Sequence, residues 1–122
     1  MQGMMQSQMG GMHEEEYKPP TQEELARVPR TAEITLDDQF RIQPKDITVK
    51  KGEVVKFVVK NVGAVPHDWM AEGIDKLETG SFGGGEERVI VWEADRTGTF
   101  NTYCMVPGHK EAGMVGTLTV TD

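Results

Sequence analysis

One cysteine, three histidines and no long apolar run set the first limits on this 122-residue chain. A single cysteine excludes an internal disulfide and zinc sites built from four cysteines or from two cysteines and two histidines. It also excludes a dinuclear metal site bridged by two of the chain's own cysteines. Three histidines are too few for a multinuclear copper oxidase cluster. No stretch nears 18 consecutive apolar residues, so no helical membrane span is expected. No secretion-signal pattern is read at the N terminus. Cations are scarce as well: 13 Lys and Arg stand against 20 Asp and Glu, for a net charge of −7. Nucleic acid is therefore not an expected partner, because phosphate binding needs a basic stripe. Sustained helical periodicity is missing, and no internal repeat is evident. The length fits one domain.

What is present divides at about residue 30. Residues 1–16 are Gln, Gly, Ser and Met followed by three glutamates, and five of the eight methionines fall in the first 12 positions. That composition cannot bury a core and is read as disordered. Thr21 and Glu24 form a Thr-x-x-Glu capping box, which predicts a short helix over 22–28 ended by Pro29. Residues 1–30 are thus expected to be a flexible, Met-rich extension, with the short helix over 22–28 either packed on the domain or linking to it. It carries five acidic and three basic residues, so −2 of the −7 lies there and −5 on residues 31–122.

From Thr31 onward the pattern is β. Short apolar runs alternate with polar residues and are punctuated by turns at Asp37-Asp38, Pro44-Lys45-Asp46 and Lys51-Gly52-Glu53. Val55, Phe57 and Val59 share one face of a strand, and Phe100, Thr102 and Cys104 share a face of another. Glycine-rich residues 62–86 read as long loops around a short strand. About seven or eight short strands at this spacing predict an all-β sandwich.

The chemistry concentrates near the C terminus, in Cys104-Met-Val-Pro-Gly-His109-Lys-Glu-Ala-Gly-Met114. Cys104 closes a strand, Pro107-Gly108 turns the chain before His109, and Met114 precedes the last strand. One loop thus presents a thiol, an imidazole and a thioether. His67, also in a loop after a strand, is the remaining imidazole of the domain, since His13 lies in the extension. Thiolate and thioether favour copper(I), while imidazole suits both copper oxidation states. Two His, one Cys and a weak axial Met make up a type 1 electron-transfer copper site. A site acceptable to both oxidation states moves little on electron transfer, and the thiolate conducts charge toward Tyr103 and Thr102. The spacing is specific: a histidine at +5 and a methionine at +10 from one cysteine would coincide by chance in roughly 0.2% of cases.

These residues carry a family resemblance. Phe57-Val-Val-Lys-Asn61, Pro66-His67-Asp68, Gly98-Thr-Phe-Asn-Thr-Tyr-Cys104, Pro107-Gly-His109 and Ala112-Gly-Met114-Val-Gly-Thr-Leu-Thr-Val120 resemble the cupredoxins, the small blue copper proteins. The resemblance covers residues 31–122. The Cys-x4-His-x4-Met loop is longer than in plastocyanin and is similar to those of rusticyanin and auracyanin. It implies a Greek-key β-sandwich with one copper at one end, held by His67, Cys104, His109 and Met114. It further implies a soluble, monomeric one-electron carrier rather than an enzyme, since four protein ligands leave no open position. Redox partners such as c-type cytochromes or a copper or haem oxidoreductase are implied, in the periplasm or another extracytoplasmic space. An apolar patch around His109, formed by Val65, Pro66, Val106 and Pro107, is the implied docking face. Asn61 stands where the family braces its ligand loop. Its usual hydroxyl partner is replaced by Met105, so Asn61 is expected to bond to loop backbone. Met105 beside the thiolate is expected to raise the reduction potential.

Bland readings stand beside these. Cys104 alone reads equally as a buried structural thiol or as a nucleophile with a histidine base. His67 alone reads as a surface histidine, and Glu111 is an oxygen donor that rivals Met114. Asp68-Trp69-Met70, next to His67, reads either as tuning the site or, more plainly, as a solvated Asp and a packed Trp. The tail methionines and His13 read either as copper(I) capture or as a linker. The functional alternatives are therefore copper trafficking or resistance, and a catalytic mononuclear copper protein in which Glu111 or water replaces Met114.

Overall fold

The computed structural model describes residues 17–23 and 30–122. Residues 1–16, read above as disordered, lie outside the described residues, as does most of the predicted helix over 22–28. Its first two residues, Gln22 and Glu23, are helical. The eight strands are β1 (Arg30–Leu36), β2 (Ile42–Gln43), β3 (Asp46–Lys50), β4 (Val54–Asn61), β5 (Met70–Ala71), β6 (Glu87–Glu93), β7 (Gly98–Tyr103) and β8 (Val115–Thr121). They form two four-stranded sheets, ordered β2-β1-β4-β6 and β3-β8-β7-β5. The β-sandwich expected from the pattern is the fold observed.

Alternation in the sequence decides which side chains meet between the sheets. Ile34 and Leu36 of β1 and Val55, Phe57 and Val59 of β4 are buried, and Leu118 and Val120 of β8 face them from the other sheet. β1 runs parallel to β4, with Leu36 opposite Asn61, so both strands end together. β7 and β8 are antiparallel, with Tyr103 opposite Val115. The ends of β4 and β7 and the start of β8 thus emerge where the loops bearing His67 and Cys104–Met114 begin. Gly116 lets the Lys45 segment and β7 pack closely on the start of β8. A Cβ there would lie 2.1 Å from the Lys45 carbonyl oxygen and 3.0 Å from Thr102 Oγ1.

Tyr17, counted by composition with the extension, packs on the domain core. Its hydroxyl donates to the Val89 carbonyl at 2.9 Å and accepts from the Val89 amide at 3.0 Å. The Arg88 guanidinium lies between the Tyr17 ring, 5.2 Å from its centroid, and the Phe82 ring, at 4.9 Å. Tyr17 thus ties the residues just before Thr21 to the domain. Tyr17→Phe removes both hydrogen bonds and is expected to cost about 0.5–1.5 kcal/mol of stability. Urea unfolding at an unchanged m-value checks this.

Candidate metal centre

His67, Cys104 and His109, 37 residues apart at their widest sequence gap, present donor atoms that all lie within 4.8 Å of one another. His67 Nδ1 is 3.2 Å from His109 Nδ1, and Cys104 Sγ is 3.4 Å from His109 Nδ1. The nitrogen separation is close to that of two imidazoles sharing one first-row ion through bonds of about 2.0–2.1 Å. Cys104 and His67 are fully buried, and His109 is half-buried. A desolvated thiol and two converging imidazole nitrogens form a soft site, and copper is the ion that this donor set suits.

The C-terminal loop is held by its own backbone. His109 N donates to the Val106 carbonyl at 3.0 Å, Ala112 N to Gly108 at 3.1 Å, and Met114 N to His109 at 3.1 Å. Cys104 N closes the loop on the Met114 carbonyl at 3.3 Å. Gly108 and Gly113 take φ of +87° and +105°, turns that a Cβ would strain. Met114 is fully buried, whereas its rival Glu111 is exposed and stands outside the donor cluster. Burial thus sets the thioether, and not the exposed carboxylate, beside the buried donors as the candidate fourth ligand.

His67 is held from the other side. Its backbone exchanges hydrogen bonds with Phe82, at 3.1 and 3.0 Å. Asn61 is buried and braces this loop: its amide donates to the Val65 and Phe82 carbonyls at 2.9 and 3.0 Å, and its oxygen accepts from the Gly63 amide at 2.9 Å. The expected bond to loop backbone exists, but to the His67 loop and not to the Cys104 loop.

Two aspartates act at the site: Asp38, which the sequence offers as a turn residue, and Asp68, for which it offers a solvated side chain or a tuning role. Asp68 locks the two ligand loops together. Its carboxylate accepts the Met105 amide at 2.6 Å, and its own amide donates to Cys104 Sγ at 3.4 Å. The lock that a hydroxyl after the cysteine would supply is thus made by a main-chain donor. Met105 itself is 55% exposed, so the expected apolar cover of the thiolate is provided only in part. Asp38 approaches the far side of His67, with Oδ1 3.0 Å from Nε2. The Ala64 amide, donating at 2.7 Å, and then the His67 ring hold Asp38 below the ordinary carboxylate range. Both aspartates act on partners distant in sequence; only the adjacency of Asp68 to His67 is a local signal, and nothing local marks Asp38.

The turn that delivers Asp38 also delivers Phe40, whose ring meets His109 edge-on at 4.9 Å. Phe40 has φ +61°, a left-handed conformation that costs a non-glycine residue of order 1–3 kcal/mol. The Asp37 carboxylate offsets this by accepting the Gln39 and Arg41 amides at 2.9 and 3.2 Å, and Arg41 Nε at 3.0 Å.

Burial pushes the Cys104 thiol above its ordinary value, opposed by the Asp68 and Val106 amides that point at the sulfur. The metal-free thiol is therefore protonated at neutral pH, and a metal that binds the thiolate must release that proton. Apparent copper affinity is expected to rise with pH, about tenfold per unit where the thiol proton is the one displaced. Competition titrations at several pH values check this, and a flat profile would mean a thiol already ionised.

The fold, and copper as the ion, agree with known proteins. A family profile described as copper binding proteins, plastocyanin/azurin family, matches residues 30–121. The copper-resistant cuproprotein CopI of Rubrivivax gelatinosus is 30% identical over 115 residues, spanning 80% of this chain and 70% of that protein. CopI of Vibrio cholerae is 26% identical over 109 residues, spanning 74% of this chain and 64% of that one. Among solved structures, auracyanin B superposes with a TM-score of 0.68 at 22% identity, over 88% of this chain and 95% of that one. The sandwich that carries His67, Cys104 and His109 to one end is thus a cupredoxin domain with copper as its cofactor, and the chain belongs to the plastocyanin/azurin family of copper-binding proteins.

Proposed function

We propose that the protein is a one-electron carrier built on a mononuclear type 1 copper centre held by His67, Cys104, His109 and Met114. One observation carries this reading. Cys104, His67 and Met114 are fully buried, and only His109 of the four reaches the surface. Bound copper supplies the copper(I)/copper(II) couple. The chain's own residues exclude water from it, fix its donors, and leave one imidazole edge as the contact to a partner. Hydrogen-bonded loops and the Asp68 lock resist rearrangement, which keeps the geometry common to both oxidation states. Four protein donors leave no position for a substrate, so the protein is proposed to act without catalysis of its own.

The segments preceding the two histidines present Val62, Val65 and Met105 to solvent, at 60%, 43% and 55% exposure. An apolar face within an acidic surface suits a redox protein with a basic rim, such as a c-type cytochrome or a copper or haem oxidoreductase. The proposed setting is the periplasm or another extracytoplasmic space, and the proposed unit is a monomer. Among the described residues no helix is long and apolar enough to cross a membrane. A second reading, copper trafficking or resistance, is favoured by the names of the CopI relatives and by the five methionines in the first 12 residues.

Optical spectroscopy of the copper-loaded protein separates the two. An intense visible thiolate-to-copper band that bleaches reversibly with reductant is expected. Electron exchange with a basic cytochrome should slow as salt rises, because the net charge of −7 steers the encounter. A weakly coloured protein that binds copper without exchanging electrons would overturn the carrier reading in favour of resistance.

A further inference from the structure

The contact between Asp38 and His67 is not needed to bury the histidine, whose backbone Phe82 already holds in a loop braced by Asn61. It sets the ring instead. His67 is fully buried, and its ring has two nitrogens with different tasks. Nδ1 faces the donor cluster, 3.2 Å from His109 Nδ1. Nε2 faces Asp38 Oδ1 at 3.0 Å. A carboxylate only accepts hydrogen bonds, so Nε2 must carry the proton and Nδ1 of the neutral ring must hold the free lone pair.

The approach of this carboxylate is built into the backbone around it. Asp38 Oδ2 accepts the Ala64 amide at 2.7 Å, and Oδ1 lies 3.4 Å from the Val65 amide. A Cβ on Gly63 would stand 2.0 Å from Asp38 Oδ1, and one on Gly84 would stand 2.3 Å from the Gly63 carbonyl oxygen. Two absent side chains thus leave room for the carboxylate to reach His67. From its own side, the Asp37–Ile42 turn is fixed by the Asp37 carboxylate.

We infer that Asp38 is a positioning residue of the copper centre, which fixes His67 in the tautomer that presents Nδ1 and makes that nitrogen a stronger donor to copper(II) than to copper(I). The inference rests on His67 being a copper ligand. An ionised acceptor on Nε2–H gives the ring partial imidazolate character, and the more highly charged ion gains most from it. Asp38 therefore holds the reduction potential below the value that the other three donors and the apolar surroundings would set.

Two substitutions test this from opposite sides. Asp38→Asn removes the charge and offers a donor group, and Gly63→Ala keeps the carboxylate but displaces it. In the metal-free protein, ring nitrogen NMR should read His67 as the Nε2–H tautomer in the wild type and lose that single form in both variants. Copper(II) affinity should fall 10–100-fold in Asp38→Asn, the usual effect of removing an outer partner of a ligand. Copper(I) affinity should fall at least tenfold less, so the potential rises by about 59 mV or more, with a smaller rise in Gly63→Ala. Equal weakening of both oxidation states, hence an unchanged potential, would mark a merely structural role and overturn the inference. So would an unchanged His67 tautomer in both variants while circular dichroism shows them folded. A wild-type protein without a thiolate-to-copper band would overturn the copper-site reading instead, because the metal-free ring signals report on Asp38 independently.

Discussion

Taking a thiol and two imidazole rings out of water at one point is the constraint around which this end of the sandwich is organised. Each group loses hydration, and their donor atoms sit within 4.8 Å of one another. A buried polar group without a partner costs a few kcal/mol, so such a cluster persists only where the surrounding backbone leaves it no alternative. The two ligand-bearing loops are therefore tied at several points. Asp68 bonds across to Met105, the backbone of His67 pairs with Phe82, and Met114 closes on His109 and Cys104. These bonds use main-chain donors and acceptors, which are stiffer than long side chains and leave less freedom to collapse onto water.

The same logic explains why strain is tolerated nearby. Phe40 takes a left-handed backbone so that its ring can lie against His109, and Asp37 satisfies the amides that the turn exposes. The turn between β1 and β2 thereby supports both histidines, through a carboxylate at His67 and an aromatic edge at His109. The β1–β4 pairing carries this turn to the site, because both strands end at Leu36 and Asn61. Fold and site are thus connected through strand register rather than through one long loop.

The strands were legible because Val55, Phe57 and Val59 alternate with polar residues and because Pro and Gly punctuate the runs. Cys104 and His109 were legible because one loop holds both at fixed spacing, with Met114 as the proposed fourth donor, and His67 because few histidines compete for the role. Asp38 was not, and Asp68 only through its place beside His67. Their partners lie 29 and 37 residues away, and a short acidic side chain in a loop looks the same whether it faces water or a buried ring. Asn61 was legible as a brace, but its direction was not, since backbone acceptors carry no sequence mark. Tyr17 was grouped with a polar extension whose composition hides one aromatic residue seated on the core.

That tyrosine has a consequence for how the protein meets its neighbours. β6 is the outermost strand of its sheet, and such a strand offers unpaired amides and carbonyls to any passing extended chain. The Tyr17 hydroxyl occupies both the donor and the acceptor of Val89, at the middle of that rim. A segment from before the domain thus plugs a site where a second molecule would otherwise start to add its own strand. Its removal would leave the fold intact in outline and open to intermolecular sheet growth.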